Sequence, residues 1–343
     1  MTSGEGRRCL GGFAIGFLVG AALLASYGIY CVTKNSDYSP PENSYLILDQ
    51  PDNLSAASKV FIENNISSQI RNNFFLTKAV IKLGRFLGYR LKFGEYDLPA
   101  KISLWNAIKI LSAKEPVLHK ICIPEGFSVH RTLERINKNK FLQGEVIEIP
   151  EEGSLMPDTY CFRYPTTKQD IINQAQKAMS DFLEKEWPNK SDDCFLETPQ
   201  EVLTLASIIE RESNIELDTI AGMYLNRLKI DMKLQADPTT IYAMVKGQRF
   251  PRNLTYKDLK YDHPYNTYVY KGLPPGPISN PGRKSILAVL HPKKSEWLYL
   301  YYDGRRMSKP VYSKTYQEHR KNIARIKKVS LSKVITKLPM KKI

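Results

Sequence analysis

Residues 198–213, Thr-Pro-Gln-Glu-Val-Leu-Thr-Leu-Ala-Ser-Ile-Ile-Glu-Arg-Glu-Ser, constrain the fold more than any other stretch, because they read as an apolar helix that ends in two carboxylates. Thr198 with Glu201 three residues later is a capping-box pattern, and Pro199 takes the first helical position, where a missing amide proton costs nothing. Val202, Leu205, Ala206, Ile208 and Ile209 then recur at helical spacing, and three or four residues further that stripe reaches Glu212. Glu210 falls on another face. Burial and the negative end of the helix dipole both disfavour an ionised carboxylate, so Glu212 is expected to stay protonated near neutral pH, as a general acid must. The bland alternative is an ion pair with an arginine such as Arg227 that only fixes packing.

A second constraint lies at the start of the chain. Leu10 to Val32 contains no charged residue and is long enough to span a bilayer. Arg7 and Arg8 precede it, which places residues 1–8 in the cytoplasm and the bulk of the chain outside. A cleaved signal peptide fits less well: the run exceeds the usual apolar core, no small-x-small site follows it, and Tyr30 before Cys31 makes a poor lipobox. Residues 9–32 are therefore expected to be a retained single-pass anchor, and residues 33–50, with Asn35, Ser39, Pro40 and Pro41, a linker.

The 343 residues allow two or three domains, and 42% apolar with 25% charged residues is an ordinary globular balance. Much of the net charge of +15 comes from dispersed lysines and from the tail Arg325 to Lys342, which has no acidic residue. No basic and aromatic interleaving marks a nucleic-acid module, so anionic lipid or an anionic wall polymer is the more natural partner. The cysteines show no metal-ligand spacing and the five histidines are far apart. No cofactor or metal is implied.

After the linker, helices are expected at 56–64, 76–87 and from Ser103 to Leu111, with a short strand within 93–98; together they form a small α+β unit. Residues 117–123 alternate as a half-buried strand does, and a helix follows to about Ile136. Further helices are expected at 168–187 and 218–228, one capped by Asp237 with Pro238 at its first position, and one capped by Asn280 with Pro281. A strand at 297–302, a turn at Asp303-Gly304 and a basic helix to about Lys328 close the chain. Between these elements, 152–160, 234–239, 265–268 and 272–282 are Pro/Gly loops bearing Tyr, Asn, Gln and Asp, which suits a sugar cleft. For any one tyrosine, simple packing is the competing reading.

These segments, Ile123-Pro-Glu-Gly126, 152–160, 205–213, Asn226-Arg-Leu228, 234–239, 265–268, Gly272-Leu-Pro-Pro-Gly-Pro-Ile278 and Asn280-Pro-Gly282, taken in order, resemble the MltG (YceG-like) family of endolytic murein transglycosylases. The resemblance implies an α+β protein: an N-terminal transmembrane helix, a small LysM-like α+β subdomain at 51–116, a mixed α/β catalytic domain at 117–328, then a basic tail at 329–343. It implies a cell inner membrane location with the catalytic domain periplasmic, peptidoglycan glycan strands as substrate, and association with peptidoglycan synthases. The reaction so implied cleaves the MurNAc-β-1,4-GlcNAc bond without water and leaves 1,6-anhydro ends. One carboxyl group suffices, first as acid to the leaving oxygen and then as base to the sugar's C6 hydroxyl.

The acid of such a reaction falls in Glu210-Arg-Glu-Ser213, at Glu212 by the stripe and by the Glu-Ser pair, with Glu210 as the alternative. Asn226 and Gln235 are candidates for acetamido groups, Tyr265, Asn266 and Thr267 for subsite walls, and Asp158 and Asp237 for holding polar loops or orienting the acid. Asp237 also reads as a plain helix cap. Asp303-Gly-Arg-Arg-Met-Ser-Lys-Pro310 departs from a glycine-rich turn with histidine, Arg320 stands where asparagine is usual, and Met156 replaces an aromatic position in one cleft wall. A non-catalytic wall-binding scaffold and a water-using muramidase are the competing functions.

Overall fold

Thr198 and Pro199 start a helix as their order dictates: the Thr198 side chain accepts the Glu201 amide, and the Glu201 carboxylate accepts the Thr198 amide in return. This is one element of a computed structural model that describes residues 22–23, 26–30, 32–34, 36–37, 45–302 and 310–335. The expected anchor at 9–32 lies for the most part outside the described residues, as do the turn at 303–304 and the end of the tail. No helix among the described residues is long and apolar enough to cross a membrane.

The chain forms two compact units, residues 1–119 with 161–165, and residues 120–160 with 166–343. In the first, β2 (Leu46–Leu48) pairs antiparallel with β3 (Gly94–Tyr96), and helices α1 (Leu54–Glu63) and α2 (Phe74–Phe86) fill the connection. Strand β1 (Ser36–Asp37) pairs with β4 (Lys101–Ile102), and α3 (Leu104–Ala113) follows. Asn53, Asn73 and Ser103 each accept a helix-start amide, which sets where the three helices begin. Leu46, Leu48, Phe61, Ile81, Tyr96, Ile108 and Leu111 form the core between them.

Strands β5 (His119–Cys122) and β6 (Thr159–Phe162) lie where the chain passes from one unit to the other. The second unit is chiefly helical: α4 (Val129–Asn137), α5 (Lys168–Glu186), α6 (Pro199–Glu212), α7 (Leu217–Lys229), α8 (Asp237–Val245), α9 (Arg283–Leu290) and α10 (Tyr316–Ile335). A short hairpin, β7 (Tyr299–Tyr301) with β8 (Val311–Ser313), precedes α10. The whole is a mixed α/β chain.

Helix α6 is the axis of this unit, and its burial exceeds the single stripe that the apolar spacing predicts. All eight residues from Val202 to Ile209 are buried. Thr204 and Ser207, which read as the polar face, are accommodated because their hydroxyls donate to Gln200 and Thr204 carbonyls, both at 2.7 Å. Ser207 also accepts the Ile278 amide at 3.0 Å, so the Pro/Gly loop at 272–282 is laced onto the helix. Ile220 and Met223 of α7 and Ile286 and Val289 of α9 close the core around it. Truncating a wholly enclosed side chain such as Ile208 to alanine costs about 2–5 kcal/mol.

Two expectations are corrected here. Asn280 does not cap the helix after it: α9 begins at Arg283 with Gly282 as its N-cap, while the buried Asn280 accepts the Leu155 amide and donates to the Phe127 carbonyl. Three loops meet on one amide, a tertiary use that local order cannot announce. Met156 forms no cleft wall, because it is fully enclosed in the core.

Candidate active site

The two carboxylates at the end of α6 meet opposite fates. Glu210 Oε2 accepts the Gly282 amide at 3.0 Å and the Ser285 hydroxyl at 2.7 Å, so it caps the start of α9. It thereby raises the pKa of Glu125 nearby, where burial acts first and the Glu210 charge second. Glu212, two residues on, turns to the opposite side of the helix end, toward α7 and the start of α8. Burial, and then the charge of Asp237, push its carboxyl up to about 7, against the opposing pull of Arg227. It has no hydrogen bond among the described residues that would favour the ionised form.

The ion pair that competed with the acid reading is absent. Arg227 is buried, and its Nε donates to the Leu298 carbonyl at 2.6 Å while Nη1 donates to the Leu234 carbonyl at 2.6 Å and the Lys233 carbonyl at 3.3 Å. Its face lies 5.5 Å from the Tyr299 ring. The guanidinium is thus engaged by backbone and held near Glu212 at longer range, which tempers the carboxyl's neutrality without fixing it as a salt bridge. Tyr224, Tyr268 and Tyr302 feel the Glu212 charge and supply the rest of its surroundings. A carboxyl poised near neutrality and free of a permanent partner is able to give and to retake a proton.

Asp237 stands beside Glu212 with its Oδ1 accepting the Tyr268 hydroxyl at 2.6 Å. It is the first residue of α8, whose N-cap is Ala236, so it is not the cap that its place before Pro238 predicts. Gln235, just before, is exposed and left-handed at φ 50°, an uncommon conformation for a side-chain-bearing residue. Its backbone amide donates to the Thr267 carbonyl at 3.2 Å, and its side chain makes no hydrogen bond among the described residues.

A family model described as the YceG-like family matches residues 54–325. The chain belongs to the YceG-like family. Among its relatives, an endolytic murein transglycosylase from Bacillus subtilis is 40% identical over 51% of this chain and 48% of its own length. One from Streptococcus pneumoniae serotype 2 is 28% identical over 91% of this chain and 64% of its own. The chain therefore spans about half to two thirds of the length of these relatives. The crystal structure of a yceG-like protein, lmo1499, from Listeria monocytogenes is similar with a TM-score of 0.51 and 29% identity, covering 84% of this chain and 99% of that one.

In this YceG-like chain the other predicted site residues divide into two groups. Tyr265 is half-buried with its ring 4.9 Å from that of Tyr242, and remains available as a wall. Asn266 and Thr267 are corrected: both are buried, at 0% and 1% exposure, and cannot line a subsite. Asn266 donates to the Leu259 and Tyr261 carbonyls and accepts from Thr240 and the Tyr268 amide, while Thr267 holds the Ala236 amide at 3.0 Å. They are positioning residues for the loop that carries Asp237. Asn226 donates to the Ser295 and Trp297 carbonyls, which ties α7 to the segment just before β7 and leaves its amide nitrogen none for a sugar. Asp158 accepts its neighbour Thr159's amide and pairs with Arg283 at 2.9 Å, a turn and a surface tie, and these two donors in that order lower its pKa.

One carboxyl that the residue-by-residue reading passed over is Glu152. It accepts the Val129 amide at the start of α4 at 2.8 Å and the Tyr242 hydroxyl at 3.4 Å, yet burial still lifts it to about 7. Gly247 packs against it: at φ +81°, with a Cβ that would sit 2.5 Å from Ser128 Cβ, only glycine fits there. The only sequence signal for this was that Glu152 opens a motif whose glycine follows it. Tyr224, Tyr268 and Tyr302 carried no signal at all, since they reach Glu212 from three separate elements.

Proposed function

We propose that this chain is an endolytic lytic transglycosylase that cleaves the MurNAc-β-1,4-GlcNAc bond of peptidoglycan strands without water. Glu212, in its protonated form, donates its proton to the leaving oxygen as the muramyl C1–O bond breaks and positive charge develops at C1 and the ring oxygen. The same carboxylate then takes the proton of the C6 hydroxyl as O6 bonds to C1 and closes the 1,6-anhydro ring. Atoms balance with no water and no covalent enzyme intermediate. The names of the relatives support the substrate class, and the observation that carries the residue assignment is the half-buried Glu212, without a hydrogen-bond or ion-pair partner among the described residues, beside a Glu210 already committed to α9.

Asp237 favours a second reading. It is a carboxylate beside the acid, and a muramidase needs a second carboxylate as nucleophile or to activate water. Its engagement by Tyr268 supports a role in orienting the site and raising the acid's pKa instead. Mass spectrometry of digested strands separates the readings: 1,6-anhydro ends mark the transglycosylase, reducing ends the muramidase, and intact strands a binding scaffold.

The wider setting belongs to the same proposal. Residues 9–32 hold the chain in the cell inner membrane by a single pass, with the N-terminus cytoplasmic and the second unit facing the wall. The first unit acts as a LysM-like glycan-binding module. Strand termination beside peptidoglycan synthases follows from an endolytic cut made close to the membrane.

A further inference from the structure

A cavity of about 530 Å³ opens in the second unit between α4, the end of α6 and α8, and four arginines line it: Arg131, Arg211, Arg249 and Arg252. Arg252 is neutralised, since its Nη2 donates to Asp258 Oδ1 at 2.9 Å. The other three form no ion pair among the described residues. Arg131 lies 3.8 Å over the Phe127 ring, and Arg211 Nη1 donates to the Gly126 carbonyl at 3.4 Å, contacts that aim the guanidiniums without cancelling their charge. Arg211 has its pKa lowered by burial first and then by the positive charge of Arg131. Like charges facing one cavity repel, and an anion seated among them relieves that repulsion.

Beside Ser128 and Gln248, the rest of the lining includes an apolar and aromatic stretch from Ile241, Tyr242, Val245, Phe250 and Ile278. A ligand for such a wall combines anionic groups with small apolar ones. Its place is also informative: Arg211 directly precedes Glu212, and Pro238 in the lining directly follows Asp237, so the cavity shares α6 and the start of α8 with the proposed acid. We propose that this cavity binds the carboxylates of the stem peptide carried on the lactyl group of muramic acid, and so makes peptide-bearing strands the preferred substrate. The planar arginine fork matches a carboxylate bidentately, and alanine methyls of such a peptide suit the apolar wall. A phosphate polymer also offers charge, but it lacks those methyls and has no covalent link to the bond being cut. This inference rests on the wall-glycan reading above and concerns a part of the molecule that the proton transfer does not use.

Calorimetric titration of the full chain with a soluble tetrapeptide stem tests it. Arg131→Gln combined with Arg249→Gln is expected to weaken binding about tenfold or more, and Arg131→Lys to weaken it less, because charge remains while the fork is lost. In parallel, the ratio of cleavage rates on peptide-bearing and denuded strands is expected to fall about tenfold in the double variant. Equal peptide affinity in wild type and the double variant overturns the proposal. So does arginine-dependent binding of a poly(glycerol phosphate) where the stem peptide fails to bind. If wild type binds the peptide through these arginines yet cuts neither strand, the cavity's ligand stands and the catalytic reading falls.

Discussion

Glu210 accepts the Ser285 hydroxyl at 2.7 Å, across from one helix to the start of another, and this bond separates it from Glu212, whose carboxyl no donor holds among the described residues. Glu210→Gln and Glu212→Gln should therefore fail in different ways. Replacing Glu212 is expected to lower kcat on glycan strands by about 10²–10⁴ without lowering the stability of the fold. Replacing Glu210 removes the charge from the α9 start and is expected to lower stability by about 1–2 kcal/mol, read as a fall in Tm. Full activity of Glu212→Gln would overturn the assignment.

The pH dependence of stability carries a definite sign. Glu212 titrates at about 7 in the fold against an ordinary 4.5. The fold favours its neutral form, so stability present below pH 4.5 is lost as pH rises to about 7 and stays lost above it. Relative to wild type, Glu212→Gln is expected to gain on the order of 2–3 kcal/mol at about pH 8 and nothing at about pH 4. Denaturant titrations at the two pH values measure this. Glu152, which shares the window, cancels in the difference.

Activity should show the matching limb. A general acid with its pKa at about 7 loses tenfold in rate for each pH unit above that point. Glu152→Gln is expected to retain the alkaline limb, because Glu152 accepts from Val129 and Tyr242 and donates no hydrogen bond among the described residues. A pH–rate profile that loses its limb in this variant would shift the acid to Glu152.

Gly247→Ala tests the packing behind Glu152. At φ +81°, with Ser128 Cβ only 2.5 Å from the added methyl, the substitution is expected to cost about 1–3 kcal/mol. It should also break the hydrogen bond that Ser128 donates to the Gly247 carbonyl, and chemical denaturation would register both effects together.

Asn266→Ala separates positioning from substrate contact. Four hydrogen bonds end on this wholly buried amide, and their loss is expected to cost about 3 kcal/mol. Because the loop so held carries Asp237, kcat should fall with little change in KM. A rise in KM alone, with stability unchanged, would return Asn266 to the substrate surface.

Local order determined where several of the helices start, though not α8 and α9, whose expected caps at Asp237 and Asn280 are displaced. Thr198 with Glu201, and Ser103, accept amides within one turn of themselves, and Pro199 takes a first helical position that needs no N–H; such short-range chemistry is written in consecutive residues. The apolar spacing of α6 likewise placed Glu212 on a core-facing line. What the chain order left open was which carboxylate is free, because that depends on Ser285 and Gly282, more than seventy positions away. Tertiary structure alone decided that Arg227 is taken by backbone carbonyls and that Asn266 and Thr267 face inward. It alone gathered four arginines around one cavity. Hydrogen-bond and charge partners are chosen by proximity in space, and a polar side chain in a loop looks the same in sequence whether it turns toward a ligand or toward its own backbone.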